Sequence, residues 1–254
     1  MVLVLSCNLS YGKVLFVCDP YPPFTYEREG KLHKGVIIEL LAEILIGISE
    51  YETKSIEWHT ALKLLEKGRA DITGPLFKTL ERSEYLVYTE PLYLERFSIC
   101  YLSENSESKF SNITNIVELY NEKVGVVKDF YYGEELNDAI RRNYVRAVIV
   151  KYASTNLKIL LRGRVDAAIF NETVVRNLIS SNPDVAGKVE CSSVPIDPMQ
   201  LHFGISKKSV LLDDLDLINA RILDLKSKSY LKKLRDKYSL DRLKISRGDQ
   251  YITD

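Results

Sequence analysis

The chain twice ends an apolar helical stripe on a glycine, follows it with a basic residue, and enters an apolar strand through an aspartate. The copies are LLEKGRADIT at residues 64–73 and ILLRGRVDAAI at residues 159–169. Gly68 and Gly163 stand where a helix stops on a residue able to take positive φ, a conformation glycine adopts without steric cost. One such junction is ordinary in an α/β protein. Two with the same residue types in the same order ask for two similar halves. In that reading Asp71 and Asp166 serve the turn, and the residues beyond each junction carry recognition.

The rest of the pattern agrees with alternating strands and helices, which excludes a bundle or a sandwich. KVLFVC (13–18) reads as a buried strand, DPYPPF as a rigid loop, and EREGKLH (27–33) as a polar hairpin tip. GVIIELLAEILIGI (35–48) is apolar enough for a core helix, and Trp58, Ala61, Leu62 and Leu65 fall on one helical face. Strands are expected from Asp71 and over FSICYL (97–102), then a polar crossing or surface loop over 103–112. The second half reads as strand KVGVV (123–127), helix 133–143, strand 146–152, helix 156–162, strand 166–170 and helix 172–180. HFGIS (202–206) is a last strand, and 211–238 is one or two helices, whose lysine-rich end 226–238 is a solvated face rather than a docking patch.

Charge and side-chain inventory exclude several function classes. Thirty-five Lys and Arg balance 35 Asp and Glu, so no basic surplus points to nucleic acid. His33, His59 and His202 form no HxH or HExxH pair, and Cys7, Cys18, Cys100 and Cys191 form no CxxC, so no metal site or cofactor is expected. Cys18 and Cys100 lie in apolar strand-like runs and are expected as reduced, buried thiols, with a disulfide left open. MVLVLSCNLSYG reads as the rear half of a secretory signal, with the small-x-small site Ser10-Tyr11-Gly12 before Lys13. Two other readings stay beside it, a lipoprotein-type site with lipid on Cys7 and a frayed first strand.

Two stretches carry candidate chemistry. In DPYPPFTY (19–26) three prolines stiffen a loop bearing an acid and several aromatic rings. Such a loop has little entropy left to lose on binding. In KTLERSEYLVYTEPLY (78–93), Arg82 stands near a helix start, where a guanidinium can grip a carboxylate with two parallel hydrogen bonds. The structural alternatives are a surface turn with locally packed rings, and a solvated arginine paired with Glu81 or Glu84.

YPPFTYEREGKLHKGVIIELLAEI, the block from Trp58 through Tyr93, KVGVVKDF and LLRGRVDAAIFNE follow one another as in solute-binding protein family 3. The sequence thus resembles the amino-acid-binding, type II periplasmic binding proteins over roughly residues 13–240. The block 58–93 is the most specific part, a Trp, a helix, Gly-x-x-Asp, Thr-x-x-Arg and the ending Tyr88-Thr89-Glu90-Pro91-Leu92-Tyr93. The resemblance implies a two-lobed α/β fold with two crossovers, lobe 1 at 13–101 plus 197–240 and lobe 2 at 102–196, between a signal remnant at 1–12 and a tail at 241–254. It implies a ligand held in the cleft, Arg82 on its carboxylate, Asp19 against it, and Tyr21 and Phe24 lining its side-chain pocket.

Where the family carries an Asp for the ligand's ammonium, this chain has Asn171. Asp129-Phe130-Tyr131 replaces a Gly-Thr-Thr-like stretch, and Phe77 takes a hydroxyl-bearing position before Arg82. The expected site is therefore Asp19, Tyr21, Phe24, Phe77, Arg82, Phe130, Tyr131 and Asn171, for a small carboxylate that is an amino acid or a related compound. The resemblance further implies an extracytoplasmic, monomeric, non-enzymatic binder serving an ABC-type permease or a sensor. The alternative is a periplasmic dehydratase of prephenate-like acids on the same fold, with Glu172 or Asp19 as proton donor.

Overall fold

The computed structural model describes residues 13–105, 109–193 and 198–238. The expected signal segment, its lipid-site alternative at Cys7 and the tail lie outside the described residues.

The chain begins with strand β1 (Val14–Cys18), the hairpin β2 (Tyr26–Arg28) and β3 (Lys31–Lys34), helix α1 (Val36–Leu45) and strand β4 (Tyr51–Ser55). Helix α2 (Trp58–Glu66) leads to β5 (Ile72–Phe77), the one-turn α3 (Leu80–Ser83), β6 (Leu86–Tyr88) and β7 (Tyr93–Glu95). These strands, with a late strand described below, build the first sheet. Strand β8 (Phe97–Leu102) opens the second sheet, which continues through β9 (Lys123–Val127), α4 (Glu134–Arg141), β10 (Arg146–Val150), α5 (Ala153–Leu161), β11 (Ala167–Asn171), α6 (Glu172–Ser180) and β12 (Val189–Ser193). The chain then returns to the first sheet as β13 (Met199–Ser206) and closes with α7 (Leu215–Ser227) and α8 (Tyr230–Lys237).

The first sheet runs β4-β1-β5-β13-β6, with β7 also paired to β13, and the second runs β10-β9-β11-β8-β12. In each, the first three strands are parallel and joined through helices, and the later strands are antiparallel. The halves are therefore matched βαβαβ units, β1-α1-β4-α2-β5 and β9-α4-β10-α5-β11. The first crossing between sheets falls at Arg96, between β7 and β8. The apolar run FSICYL, expected at the end of lobe 1, pairs instead with β11 and β12 in the second sheet.

The twin junctions are superposable in their bonding. Gly68 and Gly163 take φ of 69° and 61°. Arg69 N–H donates back to the Leu64 carbonyl and Arg164 N–H to the Ile159 carbonyl, closing each helix C-terminus. The Asp71 backbone N–H donates to the Leu15 carbonyl at 3.0 Å while its Oδ2 accepts from the Leu15 N–H at 2.8 Å. Asp166 repeats this ring on Lys123, at 2.9 and 2.8 Å. Each aspartate thus stitches the incoming strand to its parallel neighbour, a position where both backbone groups would otherwise lack partners.

Two clusters of buried apolar side chains hold the layers. The larger joins α1, α2 and the first sheet, with Phe16, Ile37, Leu41, Ile44 and Phe203 fully buried. The smaller lines one face of the second sheet around Ile99, Val124, Leu136 and Ile169, while the larger continues over its other face through Leu160, Ala168 and Val175. Helix α1 is seated on the proline loop: Val36 and Ile37 N–H donate to the carbonyls of Pro23 and Phe24. At Gly35 a Cβ would lie 2.2 Å from the Phe24 oxygen, so only glycine lets helix and loop meet this closely.

Cys100 corrects the expectation of a reduced thiol. It is bonded to Cys191, with the Cα atoms 4.1 Å apart, because antiparallel β8 and β12 place the two directly opposite. Cys18 is free and buried, as expected.

Candidate functional site

Parallel strands from both lobes end on one cavity. The loop after β1 brings Asp19 and Tyr21, the segment after β5 brings Phe77 and Arg82, the turn after β9 brings Phe130 and Tyr131, and β11 ends on Asn171. The further lining of the cavity includes Cys18, Trp58 and Leu201. Seven of the eight expected residues therefore surround one space. Phe24 does not: it is fully buried in the core and stacks against the back of Tyr21, ring centroids 5.9 Å apart.

Local bonding sets each side chain. The Tyr21 and Thr25 backbones exchange hydrogen bonds, and the Thr25 hydroxyl donates to the Asp19 carbonyl at 2.8 Å, so the proline loop is closed on itself. Thr79 caps α3 by accepting from the Arg82 N–H at 3.1 Å, which turns the Arg82 side chain inward. There Nη1 donates to the Phe77 carbonyl at 3.1 Å and Nη2 to the Asp129 carbonyl at 2.7 Å, while the guanidinium lies 5.5 Å from the Trp58 ring centre. Arg82 is buried, and burial lowers its pKa from the ordinary arginine value. It forms no ion pair with a carboxylate among the described residues, so the structural alternative of pairing to Glu81 or Glu84 is not realised.

The lobes touch around this cavity. Trp58 Nε1 donates to the same Asp129 carbonyl at 3.3 Å, His59 Nδ1 meets the Asp129 carboxylate at 2.5 Å, and Lys151 lies 3.8 Å from Glu57. Phe130 packs edge-on between Tyr21 and Trp58, with centroids at 5.5 and 6.3 Å. Asp129 makes these contacts from a φ of 58°, which aspartate tolerates better than most residues.

Two buried carboxyl groups are strongly perturbed. Burial pushes Asp19 up to about 7, with the neighbouring Glu57 charge adding to it and the Cys18 thiol and Asp19's own backbone opposing it. Burial also pushes Glu95, at the end of β7, up to about 7 against hydrogen bonds from Thr173 and Asn171. Both groups hold protons in the folded chain that the unfolded chain gives up near pH 4. The stability they contribute is full below that pH and is lost as pH rises toward 7. Asp19→Asn is therefore expected to raise the unliganded protein's stability at pH 7.5 by on the order of 1–4 kcal/mol and to leave it unchanged at pH 4. Urea unfolding at the two pH values checks this; equal shifts at both would refute it.

Trp58 and Glu95 were not expected here. Trp58 reads in the sequence as the first residue of a helical stripe, and only the approach of the β9 turn reveals one side of this buried ring as cavity wall. Glu95 sits in YLERF, where two charges suggest solvent. Among the described residues no cluster could hold a metal ion, and no helix is long and apolar enough to cross a membrane.

The family model for bacterial extracellular solute-binding proteins, family 3, matches residues 14–241. The chain belongs to this family. Solved structures share its two-lobed type II fold. One is an ancestral arginine-binding protein bound to arginine, 21% identical, with a TM-score of 0.76 over 90% of this chain and 99% of that one. A histidine kinase sensor domain similar to periplasmic binding proteins is 17% identical, with a TM-score of 0.76 over 90% and 96%. The arginine-bound substrate-binding protein AbpA of a Streptococcus pneumoniae amino-acid ABC transporter is 21% identical, with a TM-score of 0.72 over 92% and 97%. No curated protein sequence matches the chain.

Proposed function

We propose that this family 3 protein is an extracytoplasmic receptor, in the periplasm or otherwise outside the cytoplasmic membrane, that closes its lobes over one small carboxylate for uptake or sensing. The observation that carries the reading is Arg82: a buried guanidinium facing an interlobe cavity with two carbonyls as acceptors and, among the described residues, no carboxylate paired with it. A buried cation without a counter-charge is costly, and a ligand carboxylate supplies that charge together with two well-aligned acceptors. Tyr21, Trp58, Phe77 and Phe130 supply the walls for the ligand's body. Closing the lobes removes water and strengthens each polar contact.

The non-enzymatic reading is favoured over a dehydratase. Glu172, one of the two acids that could donate a proton, is tied to Arg176 and does not line the cavity. Asp19 alone provides no acid–base pair. The fold's use by transport receptors and by a kinase sensor domain supports both destinations for the signal, a permease or a sensor. Native purification followed by denaturation and mass spectrometry of the released small molecules tests the proposal. One carboxylate per chain is expected, and it should rebind the refolded protein by calorimetry with one-to-one stoichiometry. Recovery of a ligand with no carboxylate would overturn the assignment.

A further inference from the structure

The polar inventory of the cavity narrows the ligand further, on the reading that Arg82 holds its carboxylate. Asn171 lines the cavity and caps α6, its side-chain oxygen accepting the Val174 N–H at 3.1 Å. A backbone N–H can only donate, so the amide oxygen is the atom turned to the helix and the NH₂ is the atom left over. Beside it, the Glu95 carboxyl group accepts from the Thr173 hydroxyl, and the Asn171 side chain adds to the hydrogen bonding that holds that group. With its oxygen engaged by the helix cap, Asn171 offers the cavity an N–H and, in the oxygen's second lone pair, at most an uncharged acceptor. An aspartate here could cap the helix with one oxygen and still present the other. The amide cannot.

The remaining polar groups lean the same way. Arg82 donates, and the Trp58 N–H is spent on the Asp129 carbonyl. The one acidic side chain in the lining, Asp19, is buried and ionises only near pH 7, so below that pH the cavity holds the Arg82 charge with no ionised carboxyl in its lining. A monoanion neutralises it. A zwitterion brings in an ammonium with three donors, and meets the uncharged Tyr21 and Tyr131 hydroxyls and one reluctant carboxyl.

We infer that the cavity selects a monocarboxylate that lacks an ammonium group on the neighbouring carbon, a 2-hydroxy, 2-oxo or unsubstituted acid with an aromatic or apolar body. The oxygen of a 2-hydroxy or 2-oxo acid accepts the Asn171 N–H where an ammonium would face it. Asn171 and Glu95 together set this polarity, Asn171 by touching the ligand and Glu95 by holding the amide in its orientation.

The test is calorimetry on refolded, ligand-free protein with matched series: phenylalanine, phenyllactate and phenylpyruvate; leucine and its 2-hydroxy and 2-oxo counterparts; and arginine and lysine. A hydroxy or oxo acid is expected to bind about 10–100-fold more tightly than its amino acid. Asn171→Asp keeps the helix cap and restores a free acceptor, so it should move that ratio toward the amino acid by at least about tenfold. Tighter binding of any amino acid than of its partner by the wild type, or an unchanged ratio in Asn171→Asp, overturns the inference and leaves the carboxylate reading standing. That reading fails separately if phenylethylamine or the primary amides bind as well as the acids. If none of these acids or amino acids binds, both fall.

Discussion

Arg82→Ala is expected to weaken binding of the cleft carboxylate by about 10²–10⁴-fold, since two charge-assisted hydrogen bonds at about 1.5–3 kcal/mol each are lost. The same change should not destabilise the unliganded protein. Arg82 is buried with no ion pair among the described residues, and removing such a charge relieves a desolvation cost that the carbonyl acceptors and the neighbouring Glu81 and Asp129 charges only partly offset. The fold keeps its local anchor, because the cap of α3 uses the Arg82 backbone N–H and not its side chain. Affinity and stability therefore move apart, which separates a ligand anchor from a structural arginine. Arg82→Lys should recover only part of the affinity. An ammonium is a point charge and cannot present two parallel donors to a planar carboxylate. Calorimetry for affinity and thermal melting of the ligand-free protein read the two quantities. Loss of stability with affinity intact would show that Arg82 serves the fold and not the ligand.

Legibility in the sequence followed how local the determining physics was. The twin junctions were readable because glycine at a helix stop and aspartate three residues later act within one turn, and both bond as that reading requires. Residues at the carboxyl ends of parallel strands were readable for the same reason: strand, loop and helix follow in order, and the cavity gathers what the loops carry. What failed to show was set by pairing at a distance. YETKS of β4 alternates half-buried and exposed residues with no apolar run, and becomes a strand only by lying along β1. FSICYL announces a buried strand but not which sheet buries it. Tyr21 and Phe24 are both aromatic residues of one rigid loop, and only its curl decides that one faces the cavity and the other the core. Glu95 is concealed by its chemistry, since a carboxyl in a charged stretch reads as solvated until β7 and the start of α6 close over it.

Breaking the Cys100–Cys191 bond is expected to lower the stability of the protein by about 4–5 kcal/mol, the entropy returned to an unfolded chain when a loop of this length is released. The two residues are 91 positions apart, and the loop between them contains the whole βαβαβ unit of lobe 2. For a chain of this size that corresponds to a fall in melting temperature of roughly 10 °C or more. Because the effect is exerted on the unfolded state, affinity at 25 °C should change little. The bond joins β8 to β12, while the cavity side of lobe 2 rests on β11 and the turn after β9, whose ladder hydrogen bonds remain. A Cys100→Ala, Cys191→Ala double variant should melt with the reduced wild type, and reductant should have no effect on the variant. Cys18→Ser, changing the free buried thiol, should leave the reductant response intact. The same experiment bears on where the protein works. A bond of this worth forms and persists in oxidising compartments, so chains made in a reducing cytoplasm should emerge with the lower melting temperature and recover the higher one on oxidation. If oxidised and reduced chains melt together, the bond carries no stability and its argument for an extracytoplasmic chain is lost with it.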